Sequence, residues 1–172
     1  FDPAANGVSF LEGPFGSIIP AVVDGRADLG CVFEWDASIA EAAHGLEVSL
    51  PLAEVLGPIA FTSTLVSASY AERNPEVVQA FVNALAETMA LLHADPEVYR
   101  RVSAAEFDQD SPEAIAAGTQ RLLSTNGVVP RNPMITREEW EAIIAHDTAA
   151  GTVRGERSYD QIVDMSFAER AI

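Results

Sequence analysis

Three short clusters carry most of the side-chain chemistry of this 172-residue chain. The first, Glu34-Trp35-Asp36, sets an indole between two carboxylates. An indole stacks on heteroaromatic rings and cations, and flanking carboxylates accept hydrogen bonds from an amine or pair with its charge. The same residues read equally as a packed Trp35, an Asp36 that caps a helix and a solvated Glu34. The second cluster, Glu12 to Ser17, leads into a helix whose first amides can hold an anionic group. Gly13, Gly16 and Ser17 permit close approach there, Glu12 opposes an anion, and an ordinary tight turn is the other reading. The third, Thr62-Ser63-Thr64, offers hydroxyls that both donate and accept, or reflects β-propensity alone. The candidate ligand-binding residues are therefore Glu12, Phe15, Ser17, Glu34, Trp35, Asp36, Thr62 and Thr64.

Other chemistries lack their residues. His44, His93 and His146 stand far apart, and none has a neighbour at metal-ligand spacing. H-E-x-x-H, G-x-S-x-G and a glycine-rich phosphate loop are all missing. All ten basic residues are Arg, so no Lys in this sequence can form a Schiff base. The expectation is a protein with no catalytic residue, no metal and no cofactor. Cys31 is the single cysteine, which rules out an internal disulfide, and it reads as a small buried strand residue. A net charge of −16 argues against nucleic acid and anionic lipid as partners, because both select clustered positive charge. No uninterrupted apolar run approaches the roughly eighteen residues of a membrane span, and a soluble, monomeric protein is expected.

The clusters must be positioned by secondary structure. Strands are expected at 8–11, 29–33 and 48–50, alternating with helices at 15–23 and 37–43. His44-Gly45 closes the second helix. Near-continuous apolar strands between helices imply a parallel sheet covered on both faces. Ligands of such sheets sit beyond the strand ends, where the first two clusters fall. Gly57-Pro58 marks a break, and 59–66 reads as extended. Beyond it the chain turns helical. Asn74 caps and Pro75 opens a long amphipathic helix, 97–107 is a second, and Ser111-Pro112-Glu113 opens a third that ends near Asn126-Gly127. Thr136 and Glu139 form a capping box ahead of 140–150, and a last helix holds Tyr159, Ile162, Val163 and Phe167.

Four stretches in this order resemble a known family. They are Asp24-Gly25-Arg26-Ala27-Asp28 before a strand, and Phe33-Glu34-Trp35 after it. Thr64 to Tyr70 follows, with Asn74-Pro75-Glu76 opening a long helix, and then the tail Tyr159 to Phe167. The layout is similar to solute-binding proteins of ABC importers with the type II periplasmic-binding-protein fold, in the group for sulfonates, taurine, nitrate and thiamine pyrimidine precursors. Trp35 stands where that family usually has Pro.

The resemblance implies an α/β, two-lobed fold of which the chain supplies the C-terminal two-thirds. Residues 1–57 would finish lobe 2, 58–66 would be the hinge crossover, and 67–172 would complete lobe 1 with helices. It implies capture of a small polar or heteroaromatic solute between the lobes: thiamine-pyrimidine-like, amine-bearing or sulfonate. It further implies delivery to an ABC transporter permease, and a periplasmic or extracytoplasmic location, with or without a lipid anchor on a segment before Phe1. Two other readings are a pyrimidine-synthesising enzyme on the same fold and a ligand-sensing domain of a receptor. The first suffers from the missing Lys and cysteine cluster. No kinase or DNA-binding segment accompanies the second.

Overall fold

A computed structural model describes residues 2–14, 16–124 and 128–172. A 3-10 turn at Ala4–Asn6 comes first. Ten helices follow: α1 (Ile18–Val23), α2 (Glu34–His44), α3 (Leu52–Leu56), α4 (Ala68–Arg73), α5 (Pro75–Ala94), α6 (Pro96–Glu106), α7 (Pro112–Leu122), α8 (Arg137–Ala149), α9 (Tyr159–Ile162) and α10 (Ser166–Glu169). The described residues contain no strand.

That corrects the expected α/β, two-lobed fold: the chain is 56% helical, and the described residues form no sheet for lobes to be built on. The segments 8–11, 29–33, 48–50 and 59–66 are irregular, and none is part of a strand. The physical reason is that a strand is completed by a neighbour. Its amides and carbonyls must pair across to another extended segment, whereas a helix satisfies them within itself. Residues that would face a sheet instead meet solvent: Phe10 is 78% exposed, Leu29 81% and Leu65 86%. Cys31, expected to be buried in a strand, is exposed for the same reason.

The chain forms two compact units. The first comprises Phe1–Ser49 and Ser103–Gly118, so the end of α6 and the start of α7 join α1 and α2. Its buried residues are small: Ala21, Ala37, Ser38, Ala40, Ser103 and Ala114, with Ile115 the largest. Small side chains let backbones approach closely. A Cβ at Gly30 would stand 2.7 Å from Ile18 Cγ2 and 3.2 Å from Val22 Cγ2. The backbone at Gly30 therefore rests directly on one face of α1, because Ile18 and Val22 are one turn apart. Helix α2 ends as its sequence dictates. Gly45 adopts φ 64°; its amide returns to the Glu41 carbonyl and that of Leu46 to the Ala40 carbonyl.

The second unit comprises Leu50–Val102 and Thr119–Ile172. Helix α5 is its longest element and packs on α4 and α10. Gln79 ties it to the C-terminus, donating to the Phe167 carbonyl (3.0 Å) and accepting from Arg170 Nε (2.7 Å). By length and composition α5 could cross a membrane, with mean hydropathy 1.3 over eighteen residues, although no single uninterrupted apolar run shows this. Pro75 opens the helix, but Asn74 does not cap it. Its side-chain amide instead donates to the Tyr70 carbonyl and closes α4 (3.1 Å).

Helix α8 opens with the expected reciprocal box. The Glu139 amide donates to Thr136 Oγ1 (3.2 Å), and Glu139 Oε2 accepts from the Thr136 amide (2.8 Å). Trp140, one residue on, is half-buried and donates to the Arg157 carbonyl (2.9 Å). The expected last helix is two, α9 and α10, separated by Val163–Met165. The expected end of α7 near Asn126-Gly127 lies outside the described residues.

Candidate functional site

The Glu34-Trp35-Asp36 cluster forms the first turn of α2, which starts three residues earlier than its sequence pattern suggests. Phe33 occupies the N-cap position in extended conformation and supplies no side-chain cap. Asp36 consequently lies inside the helix and is not the cap. Both carboxylates sit at the positive end of the helix dipole, where a negative charge is favoured. Glu34 accepts a hydrogen bond from the buried Ser38 hydroxyl one turn on (3.0 Å).

Trp35 is half-buried and its surroundings come from far along the chain. Its indole Nε1 donates to Asp110 Oδ2 at 2.9 Å. The Phe107 ring lies 5.1 Å away, centroid to centroid, tilted by 36°. Gly118 on α7 faces the six-membered ring. A Cβ there would be 2.9 Å from both Cε3 and Cζ3, and 3.4 Å from Ser38 Oγ. A turn from Phe107 to Asp110, closed by the Asp110 amide on the Phe107 carbonyl (3.0 Å), brings the first two partners together. Ser111 then caps α7 by accepting from the Ala114 amide (3.1 Å).

The loop before α1 is arranged more simply. Glu12 is exposed. Ser17 occupies the N-cap position of α1, but its hydroxyl donates back to the Pro14 carbonyl (2.7 Å) and does not cap the helix. Phe15 lies outside the described residues. Thr62 and Thr64 are exposed on the irregular stretch that precedes α4. The structure thus gathers Glu34, Trp35 and Asp36 on one turn and places Glu12 and Ser17 in the same unit, while Thr62 and Thr64 belong to the second unit.

Two titratable groups elsewhere have defined partners. His93 Nε2 sits 3.0 Å from the Val129 carbonyl. Arg137 pairs with Asp160 and lies 4.7 Å over the Tyr159 ring. The hydrogen bond to Asp160 raises its pKa above the ordinary guanidinium value. Among the described residues, no group of three His, Cys, Asp or Glu side chains could hold a metal.

Sequence reasoning did not find Phe107, Asp110 or Gly118. Phe107 and Asp110 both precede the helix-start signal Ser111-Pro112-Glu113. Nothing local links that signal to a tryptophan seventy-five residues earlier.

Residues 4–98, more than half of the chain, match the family described as NMT1/THI5 like, and the chain belongs to that family. A protein of Bacillus subtilis (strain 168) described as "Putative binding protein YtlA" is 23% identical over 158 residues. The alignment covers 91% of this chain and 47% of that protein, so the chain spans about half the length of the curated relative it matches. No solved structure matches.

Proposed function

We propose that this member of the NMT1/THI5-like family is a solute-binding protein, the substrate-binding component of an ABC import system that passes its ligand to a permease. The observation that carries the reading is the extent of the family match: residues 4–98 take in every candidate ligand-binding residue from Glu12 to Thr64. The relative's description as a binding protein agrees with it. The ligand is a small polar or heteroaromatic molecule. Carboxylates at Glu12, Glu34 and Asp36 favour an amine-bearing ring, such as a thiamine-pyrimidine-like compound, over a sulfonate. The protein works by binding and not by catalysis, a reading supported by the absence of Lys and the single cysteine. In this role it acts outside the cytoplasm. Calorimetric titration of the purified protein with aminopyrimidines and alkyl sulfonates tests the proposal. Saturable one-to-one binding of an aminopyrimidine is expected, with sulfonates weaker. No heat from any member of the panel would overturn it.

A further inference from the structure

The geometry assigns Asp110 as a positioning residue for Trp35, which makes the α6–α7 turn part of the recognition apparatus. This rests on the solute-binding reading and extends the site beyond residues 4–98, the stretch that matches the family. Among the described residues, three neighbours from the α6–α7 region hold the indole. Asp110 takes its single donor at 2.9 Å, Phe107 lies 5.1 Å from it, and Gly118 leaves room for Cε3 and Cζ3 that no other residue would leave. Rotating the ring about its side-chain torsions would break a charge-assisted bond and drive it into Phe107 or α7.

The ring remains partly exposed on the first turn of α2, between Glu34 and Asp36. Its orientation is therefore set before any ligand arrives. Preorganisation of this kind avoids the loss of side-chain freedom that binding otherwise incurs. There is a chemical consequence as well. An indole has one N–H and no acceptor nitrogen, and Asp110 already holds that N–H. The ligand meets Trp35 through ring stacking or cation–π contact, and the ligand's hydrogen bonds go to carboxylates. That selects an aromatic or cationic ring over a ligand that needs a donor at this position.

Two variants test the assignment, Asp110→Ala and Asp110→Asn, each read in two ways. The first readout is the Trp35 indole N–H resonance, told apart from that of Trp140 with a Trp140→Phe variant. Asp110→Ala should shift it and speed its exchange with solvent, while the Trp140 resonance stays put. Asp110→Asn, whose amide oxygen still accepts, should largely restore it. The second readout is affinity for whichever aminopyrimidine the wild type binds. A loss of about tenfold is expected in the Ala variant, the scale of one charge-assisted hydrogen bond, with most of it recovered in the Asn variant. Thr136→Ala, destabilising in the other unit, should leave affinity unchanged and so separates positioning from loss of stability. An unmoved Trp35 resonance, or a moved resonance with unchanged affinity, would overturn the assignment. If the wild type binds nothing in the panel, the solute-binding reading fails; the resonance still decides whether Asp110 orients Trp35.

Discussion

Gly118 offers a test in which two physical effects predict opposite signs. It lies inside α7, where replacing Gly by Ala ordinarily stabilises a helix by about 1 kcal/mol, because Gly surrenders more backbone entropy. Against that, the added methyl would sit 2.9 Å from Cε3 and Cζ3 of Trp35 and 3.4 Å from Ser38 Oγ. The first contact is well inside van der Waals distance, and the ring cannot swing aside while Asp110 holds its N–H. Overpacking of this kind costs about 1–3 kcal/mol. Gly118→Ala should therefore destabilise by up to about 2 kcal/mol net of propensity, seen as a lower Tm and a lower urea midpoint. In a Trp35→Leu background the ring is gone, and the same substitution should become stabilising by about 1 kcal/mol. The double-mutant cycle then isolates the overpacking itself, a coupling of about 1–3 kcal/mol between residues 35 and 118. A gain of about 1 kcal/mol in both backgrounds would show that α7 does not press on Trp35, and the packing argument would be wrong.

Three further outcomes follow from other parts of the molecule. Thr136→Ala should cost about 1 kcal/mol in urea unfolding, because the α8 capping box loses its acceptor; Thr136→Ser should cost little. The Ser166 backbone amide, 2.9 Å from Asp164 Oδ1, holds that carboxyl below its usual range, with Arg170 adding to the effect. A depressed folded value contributes stability above the unfolded value of about 3.9, lost as pH falls through the folded one. Asp164→Asn should thus flatten the acid limb of the stability profile below about pH 4, and an unchanged limb would refute the linkage. Cys31 should react with a thiol reagent under native conditions, one equivalent per chain, at a rate close to that of the unfolded protein. Protection by several orders of magnitude would restore the buried-strand reading.

Helix boundaries were the most legible part of this protein. The Thr136/Glu139 box, Pro75 at the head of α5 and Gly45 past the end of α2 all act within one turn of chain. A helix end is solved by residues adjacent in sequence, so their types suffice. Where two local solutions competed, type alone misled. Asn74 could cap α5 or close α4, and the geometry gave its amide to the Tyr70 carbonyl. Asp36 could cap α2, yet the helix begins at Glu34 and leaves it inside.

Strand segments behaved differently for the same reason. Apolar, β-branched residues at 8–11, 29–33 and 48–50 state a preference for extended backbone, but a sheet needs a partner that composition does not name. Among the described residues none of these segments joins a strand ladder. The candidate site divides along this line. Glu34, Trp35 and Asp36 were visible because aromatic and acidic types at adjacent positions announce their chemistry. What Trp35 can do was decided by Phe107, Asp110 and Gly118, more than seventy residues away. The sequence determined which groups are present and where helices start and stop, since those are local free energies. Only the tertiary structure decided that the indole's donor is spent on a carboxylate, because that depends on which distant turn the fold brings beside it.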